Sequence, residues 1–231
     1  MKTKKAFTMV ELIAVIVVMG VLAAYSIPRY KRDTRVEAIN HMLSMIRYTQ
    51  NLALHDSMHS DTNSSWQQSF WRFHIAKCKN SSGLYYTIGT DKSYSGYPFE
   101  LAETAIDPSN GKHLYWNGYT KCPKINNNSL IDNVSPNIFI TQRYGIDKVV
   151  FSSCSVMESG SRSSVSRKHI GFDNFGRPMR KYTASDTPDY NGHTVTDCRI
   201  RFYFQDNSIN PFTIVIPAES GYAYLQENKN L

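Results

Sequence analysis

Hydrophobic residues fall along this chain in three rhythms, and each predicts a different kind of element. From Ile13 to Tyr25 they are nearly continuous, from Val36 to Ala53 they recur every three or four positions, and beyond Phe70 they come in short runs and alternations. The first rhythm predicts a helix that is apolar all round, close to the ~20 residues that a bilayer demands. One carboxylate, Glu11, sits near its start. An ionisable group there costs about 2.5–3.5 kcal/mol to insert, which marks it as functional. The second rhythm places Val36, Ile39, Leu43, Ile46, Leu52 and Ala53 on one face, with Met42 and Met45 beside them. Glu37, Asn40, Arg47 and Gln50 take the other face, so the stretch predicts an amphipathic helix of about five turns.

The third rhythm predicts strands. Residues 70–76 and 84–88 form a hairpin around Asn80-Ser81-Ser82-Gly83. Further strands are predicted at 138–141, 148–151, 199–204 and 212–216, the last continuing through 221–224. Residues 169–172 run into Asp173-Asn174-Phe175-Gly176, which has the chemistry of a chain reversal. Residues 91–135 are rich in Gly, Pro, Asn, Ser and Tyr and read as a loop-rich insertion, a place for a binding specialisation. The fold class is therefore α+β: a long N-terminal helix, membrane-spanning in its first half, packed on an antiparallel β-sheet domain.

Composition changes this picture little. Aromatic residues make up 13% of the chain, with 15 Tyr, as suits a β-rich body. The net charge of +7 is mild and permits an acidic partner without demanding one. Lysines 2, 4 and 5 precede the apolar run while Arg29, Lys31, Arg32 and Arg35 follow it, so the charge rule for orientation is a near tie. Four cysteines, Cys78, Cys122, Cys154 and Cys198, lack the short spacing of zinc or redox sites. Beyond a membrane span they predict two disulfides in an oxidising compartment. Three pairings are possible, and loop economy favours Cys78–Cys122 with Cys154–Cys198.

Catalytic chemistry finds no foothold: no nucleophile elbow, phosphate loop or dinucleotide fingerprint occurs. His55 and His59 stand four apart, but Asp56 occupies the place where a zinc hydrolase needs Glu, so the pair reads as a solvated helix end. No metal, cofactor or enzymatic activity is predicted. His74 and His169 fall in strands and read as core or sheet-surface residues. Cations gather late in the chain, at Arg162, Arg167, Lys168, Arg177, Arg180, Lys181, Arg199 and Arg201. If Arg177, Arg180, Lys181, Arg199 and Arg201 converge beside Tyr182 or Tyr190, they can grip phosphates and stack bases of DNA. Otherwise they are a solvated basic surface, with Arg199 and Arg201 the polar face of a strand.

The N-terminus, Lys2-Thr3-Lys4-Lys5-Ala6 followed by Phe7-Thr8-Met9-Val10-Glu11-Leu12, resembles that of type IV prepilins and type II secretion pseudopilins. The resemblance implies a leader of residues 1–6, cleavage between Ala6 and Phe7 by a prepilin peptidase, and N-methylation of Phe7. The family usually carries Gly before the cut; Ala6 is the next smallest residue. Glu11 then pairs with the Phe7 amine of a neighbouring subunit, which answers the cost of a carboxylate in lipid. Pro28 matches the position of a helix-kinking proline. The competing reading is an ordinary secretory signal, cut near Leu22-Ala23-Ala24-Tyr25, or a signal anchor on a periplasmic protein that does not polymerise; it explains neither Glu11 nor the helical pattern after Pro28. The stretch from His169 to Pro178 resembles the GspH/FimT-like minor pseudopilins and minor pilins, some of which bind DNA. The implied layout is 7–28 in the inner membrane, 29–61 as the amphipathic half-helix and 62–231 as the periplasmic domain, assembling with other pilin subunits.

Overall fold

The computed structural model describes residues 8–26, 33–57, 63, 65–79, 82–94, 100–117, 120–123, 132–154, 169–182, 189 and 191–226. It divides into two compact units, Met1–Asp33 and Thr34–Leu231. The first holds α1, Met9–Ser26. The second is an α+β body with antiparallel sheets.

The body begins with α2, Thr34–Leu54. Its buried face is Ala38, Ile39, Met42, Met45, Ile46, Thr49, Gln50 and Ala53, at three- and four-residue steps. Burying Ile39, Met42, Met45 and Ile46 contributes about 1.5–3 kcal/mol each. The stripe is rotated from the one predicted. Val36 is exposed, Leu43 and Leu52 lie at its flank, and the two methionines stand at its centre. Gln50, expected on the polar face, is buried because its amide nitrogen donates to Gly176 O at 2.9 Å and Ser220 O at 2.8 Å. A buried amide is tolerated where its hydrogen bonds are met.

One sheet is formed by β1 (Trp71–Lys77), β2 (Leu84–Gly89), β4 (His169–Phe172) and β5 (Pro178–Met179), ordered β2-β1-β4-β5. β1 and β2 are the expected hairpin, with Phe73 opposite Ile88 and Ile75 opposite Tyr86. The other sheet holds β3 (Ile146–Ser152), β6 (Cys198–Phe204), β7 (Phe212–Ile216) and β8 (Tyr224–Leu225), ordered β3-β6-β7-β8. β6 alternates as a strand with one wet face must. Cys198, Ile200, Phe202 and Phe204 point into the core, and Arg199, Arg201 and Tyr203 point out. Phe202 stacks on Phe212 of β7 at 4.7 Å.

Residues 138–141 are not a strand. A 3-10 turn, Pro136–Ile138, precedes the short helix α3, Ile140–Tyr144. Ser135 caps the turn by accepting from Asn137 N, Pro136 opens it, and Gly145 ends α3 in the left-handed region at φ 69°. Ile138, Phe139 and Ile140 are all fully buried. A short apolar run carries no period that separates strand from helix, and here the flanking caps decide.

The described part of residues 91–135 completes a sheet edge. Ala105 N donates to Ile88 O, Ile88 N to Leu114 O and Thr90 N to Glu103 O. All six residues of β2 are consequently buried, and this edge is closed to a further strand. At the region's centre the Asp107 carboxylate is buried and accepts from Ser109, Asn110, Ser135 and Asn137. These donors hold its pKa below the usual carboxylate range although burial opposes them. Cys78, just after β1, is bonded to Cys122, and Cys154, just after β3, to Cys198 at the start of β6.

Candidate functional site

The first site is the head of α1. Thr8 precedes the helix, and its backbone N–H and hydroxyl both donate to Glu11 Oε2 at 2.8 Å. Glu11 N donates back to Thr8 Oγ1 at 3.3 Å. This reciprocal arrangement is a capping box, and it satisfies backbone donors that the first turn leaves without helical partners. Apart from Glu11, the described side chains of α1, through Leu22, are apolar and open. Eleven large apolar side chains, from Met9 at 82% to Val15 at 49%, are exposed on it. Eighteen residues at 1.5 Å rise cover about 27 Å, short of the ~30 Å hydrocarbon core. Among the described residues, no helix is long and apolar enough to cross a membrane. Ala6, Phe7 and Pro28 lie outside the described residues, so the cleavage junction and the kink are not placed.

The second site is the set of late cations, and the structure separates them. Arg177 closes the turn after β4. The Asp173 carboxylate, 2% exposed, pairs with its guanidinium at 2.8 Å and accepts from the backbone N–H groups of Phe175 at 3.0 Å and Arg177 at 2.8 Å. His193 Nε2 donates to the same carboxylate at 2.9 Å. Burial raises the Asp173 pKa, but these donors and the Arg177 charge bring it below the usual range. Gly176 in this turn has φ +77°, and its carbonyl receives Gln50. The Asp-Asn-x-Gly reversal thus docks on α2.

Arg180 is buried, 1% exposed, with its guanidinium 5.2 Å from the Phe151 ring centroid. It cannot reach a phosphate, which corrects the expectation drawn from its charge. Tyr182, considered as a stacking platform, has the Arg72 guanidinium 4.0 Å above its ring. His169 is buried, makes a 3.1 Å hydrogen bond with Arg180 O, and is pushed down to about 3 by burial and then by the Arg180 and His74 charges. It is a neutral core residue. Lys181 is half-buried. Tyr190, Arg162, Arg167 and Lys168 lie outside the described residues, as does His59.

Arg199 and Arg201 do lie together on the outward face of β6. Sequence reasoning missed their third member. Lys148 on β3 is paired with Tyr203, its ammonium 5.2 Å from that ring centroid, and the Arg201 guanidinium stands at 5.2 Å from the same ring. The strand register brings these three residues together, and no spacing in the chain announces it. Among the described residues no group of three or more His, Cys, Asp or Glu is arranged to hold a metal ion.

No curated protein and no solved structure matches this chain. Residues 1–27 match the model of the prokaryotic N-terminal methylation motif. The chain therefore carries, in the stretch that contains Glu11 and its capping Thr8, the N-terminal signature of type IV pilins and pseudopilins.

Proposed function

We propose that this protein is a minor pilin or pseudopilin, a structural subunit that joins a type IV pilus or a type II secretion pseudopilus through its N-terminal helix. Residues 1–6 are the leader, removed by a prepilin peptidase that also methylates Phe7. Residues 7–28 hold the subunit in the inner membrane, residues 29–61 continue as the amphipathic half-helix, and residues 62–231 are periplasmic. The observation that carries the reading is α1 itself, an exposed apolar helix headed by one carboxylate inside the methylation motif. A helix apolar on every side is stable only in lipid or among other helices. The Thr8 donors lower the cost of holding Glu11 in either place, and a neighbour's amine supplies the counter-charge. Two disulfides in the body suit an oxidising periplasm.

The test is Glu11→Ala in the whole chain, with membrane and sheared-filament fractions assayed separately. The substitution removes the counter-charge without touching the body, so the variant stays in the membrane and disappears from filaments. Wild-type incorporation of the variant would overturn the proposal.

A second reading, DNA binding, is favoured by one feature, the outward cluster of Lys148, Arg199 and Arg201 around Tyr203. Cations beside an aromatic ring grip phosphates and stack a base. Its test is a DNA titration at several salt concentrations with the Arg199→Ala, Arg201→Ala double variant. Each lost phosphate contact lowers the slope of log affinity against log salt by about 0.7–0.9. An unchanged slope, or binding indifferent to salt, removes this reading.

A further inference from the structure

Lys148, Arg199 and Arg201 share one face of the body, and a contact elsewhere fixes which end of the body that face borders. The Arg35 guanidinium, in the first turn of α2, donates to Asn210 O at 2.9 Å. The turn between β6 and β7 therefore lies beside the head of α2. The rung next to this turn pairs Ile146 with Phe204, and the one after it pairs Lys148 with Tyr203. Arg201 and then Arg199 follow on the outward face, ~7 Å apart along the strand. We propose that this face docks on the anionic phospholipid headgroups of the bilayer that holds α1, so that the body rests on the membrane until the subunit is drawn into a filament. The inference rests on the pilin reading for that anchor.

The face is basic and unanswered. All three cations are exposed, and among the described residues none is ion-paired. Their cross-strand neighbours Ser152, Val150, Thr213 and Val215 carry no charge. Asp147, in the bulge before Lys148, makes no ion pair with it. The long basic stems lie over the two valines and carry their charges outward, as such stems do on apolar surface. Tyr203 adds an amphipathic ring of the kind that collects at headgroup level, with Lys148 and Arg201 each 5.2 Å from its centroid.

DNA offers the same phosphate chemistry, and position decides between the two. Seven residues, 27–33, separate α1 from α2 and span at most ~25 Å, so a lipid-held α1 keeps the head of α2 within that reach of the bilayer. The turn between β6 and β7 goes with it. Arg29, Lys31 and Arg32 stand in the same short link, and basic residues beside a span are drawn to anionic headgroups. Each cation held near such a surface strengthens attachment about fivefold, so the three on the sheet supply about a hundredfold. The tether adds to this by making the encounter intramolecular.

The test places the whole chain in lipid nanodiscs, one set of neutral phosphatidylcholine and the other enriched in phosphatidylglycerol. Lysines are labelled with an uncharged acylating ester and read by mass spectrometry, with the exposed Lys121, beside the disulfide-bonded Cys122, as the internal reference. Lys148 labels about tenfold or more slowly, relative to Lys121, in the anionic discs than in the neutral ones, and high salt removes the difference. The double variant Arg199→Gln, Arg201→Gln weakens docking about 25-fold and returns Lys148 to its neutral-disc rate. Equal Lys148 rates in the two discs overturn the docking and leave the anchor standing, whereas a chain that co-elutes with neither disc overturns both. Inorganic phosphate that slows Lys148 in neutral discs as much as the anionic lipid does overturns the surface and leaves a free-phosphate site. Oligonucleotide DNA that protects Lys148 and is not displaced by anionic lipid gives the face to nucleic acid and overturns the proposal.

Discussion

Asp173→Asn is the substitution that most directly probes how the body is joined. The carboxylate holds the turn after β4 through two backbone N–H groups, the Arg177 guanidinium and His193 Nε2. That turn in turn presents the Gly176 carbonyl to Gln50 on α2. Asparagine keeps the shape but removes the charge and turns one oxygen into a donor that faces donors. Two charge-assisted hydrogen bonds at about 1.5–3 kcal/mol each are lost or inverted, so the cost is about 3–5 kcal/mol. For a body of this size that lowers Tm by roughly 10 °C. Arg177→Ala costs less, about 1–2 kcal/mol, because the two backbone bonds remain and the guanidinium is 38% exposed. The assay is urea unfolding of the whole chain in detergent with disulfides intact, followed by near-ultraviolet circular dichroism. An Asp173→Asn variant within about 1 kcal/mol of wild type, or one less damaged than Arg177→Ala, refutes the turn as the joint.

Gly221 stands at φ +65°, and a Cβ there would collide with the Gly176 carbonyl oxygen and crowd the Gln50 amide. Gly221→Ala therefore costs about 2–4 kcal/mol in the same assay, whereas Gly111→Ala, at φ +72° in open space, costs only about 1–2 kcal/mol of backbone strain. Equal costs at the two sites contradict the close approach. Stability also falls in mild acid. Burial holds His41 down to about 4 and His169 down to about 3 against the ordinary 6.5. The unfolded chain thus binds two protons that the folded one refuses, and these two groups' contribution is complete above pH 6.5 and declines towards pH 4, by about 3 kcal/mol from each at most. His41→Gln keeps a polar partner for the Tyr86 hydroxyl and removes about half of the slope due to these two groups in urea midpoints measured across that range. A slope as steep as wild type refutes the assignment to His41. Asp107 and Asp173, both lowered, add their loss below about 3.8 as they are protonated.

What was legible in the chain was whatever its local period encodes. α2 and β6 follow from spacing because each buries one face at a fixed rhythm, while the first hairpin and β7 follow from short apolar runs bounded by turn residues. Gln50 was misread because polarity sets a default, and only the Gly176 and Ser220 carbonyls, remote in sequence, reverse it. Residues 138–140 were misread because three consecutive apolar residues fit a buried strand as well as a helix, and the caps at Ser135 and Gly145 decide. Arg180 shows the limit of reading charge as exposure. Lys148 shows the reverse, since its place beside Arg201 depends on the β3–β6 register and on the bulge between Ile146 and Lys148.

The central claim concerns the first residues of the chain, and the mass of the N-terminal peptide from a membrane extract tests it most directly. The account predicts a chain that begins at Phe7 with a methylated amine, despite Ala6 in the place where Gly is usual. A chain that begins at Met1, or one cut after Ala24, would contradict it.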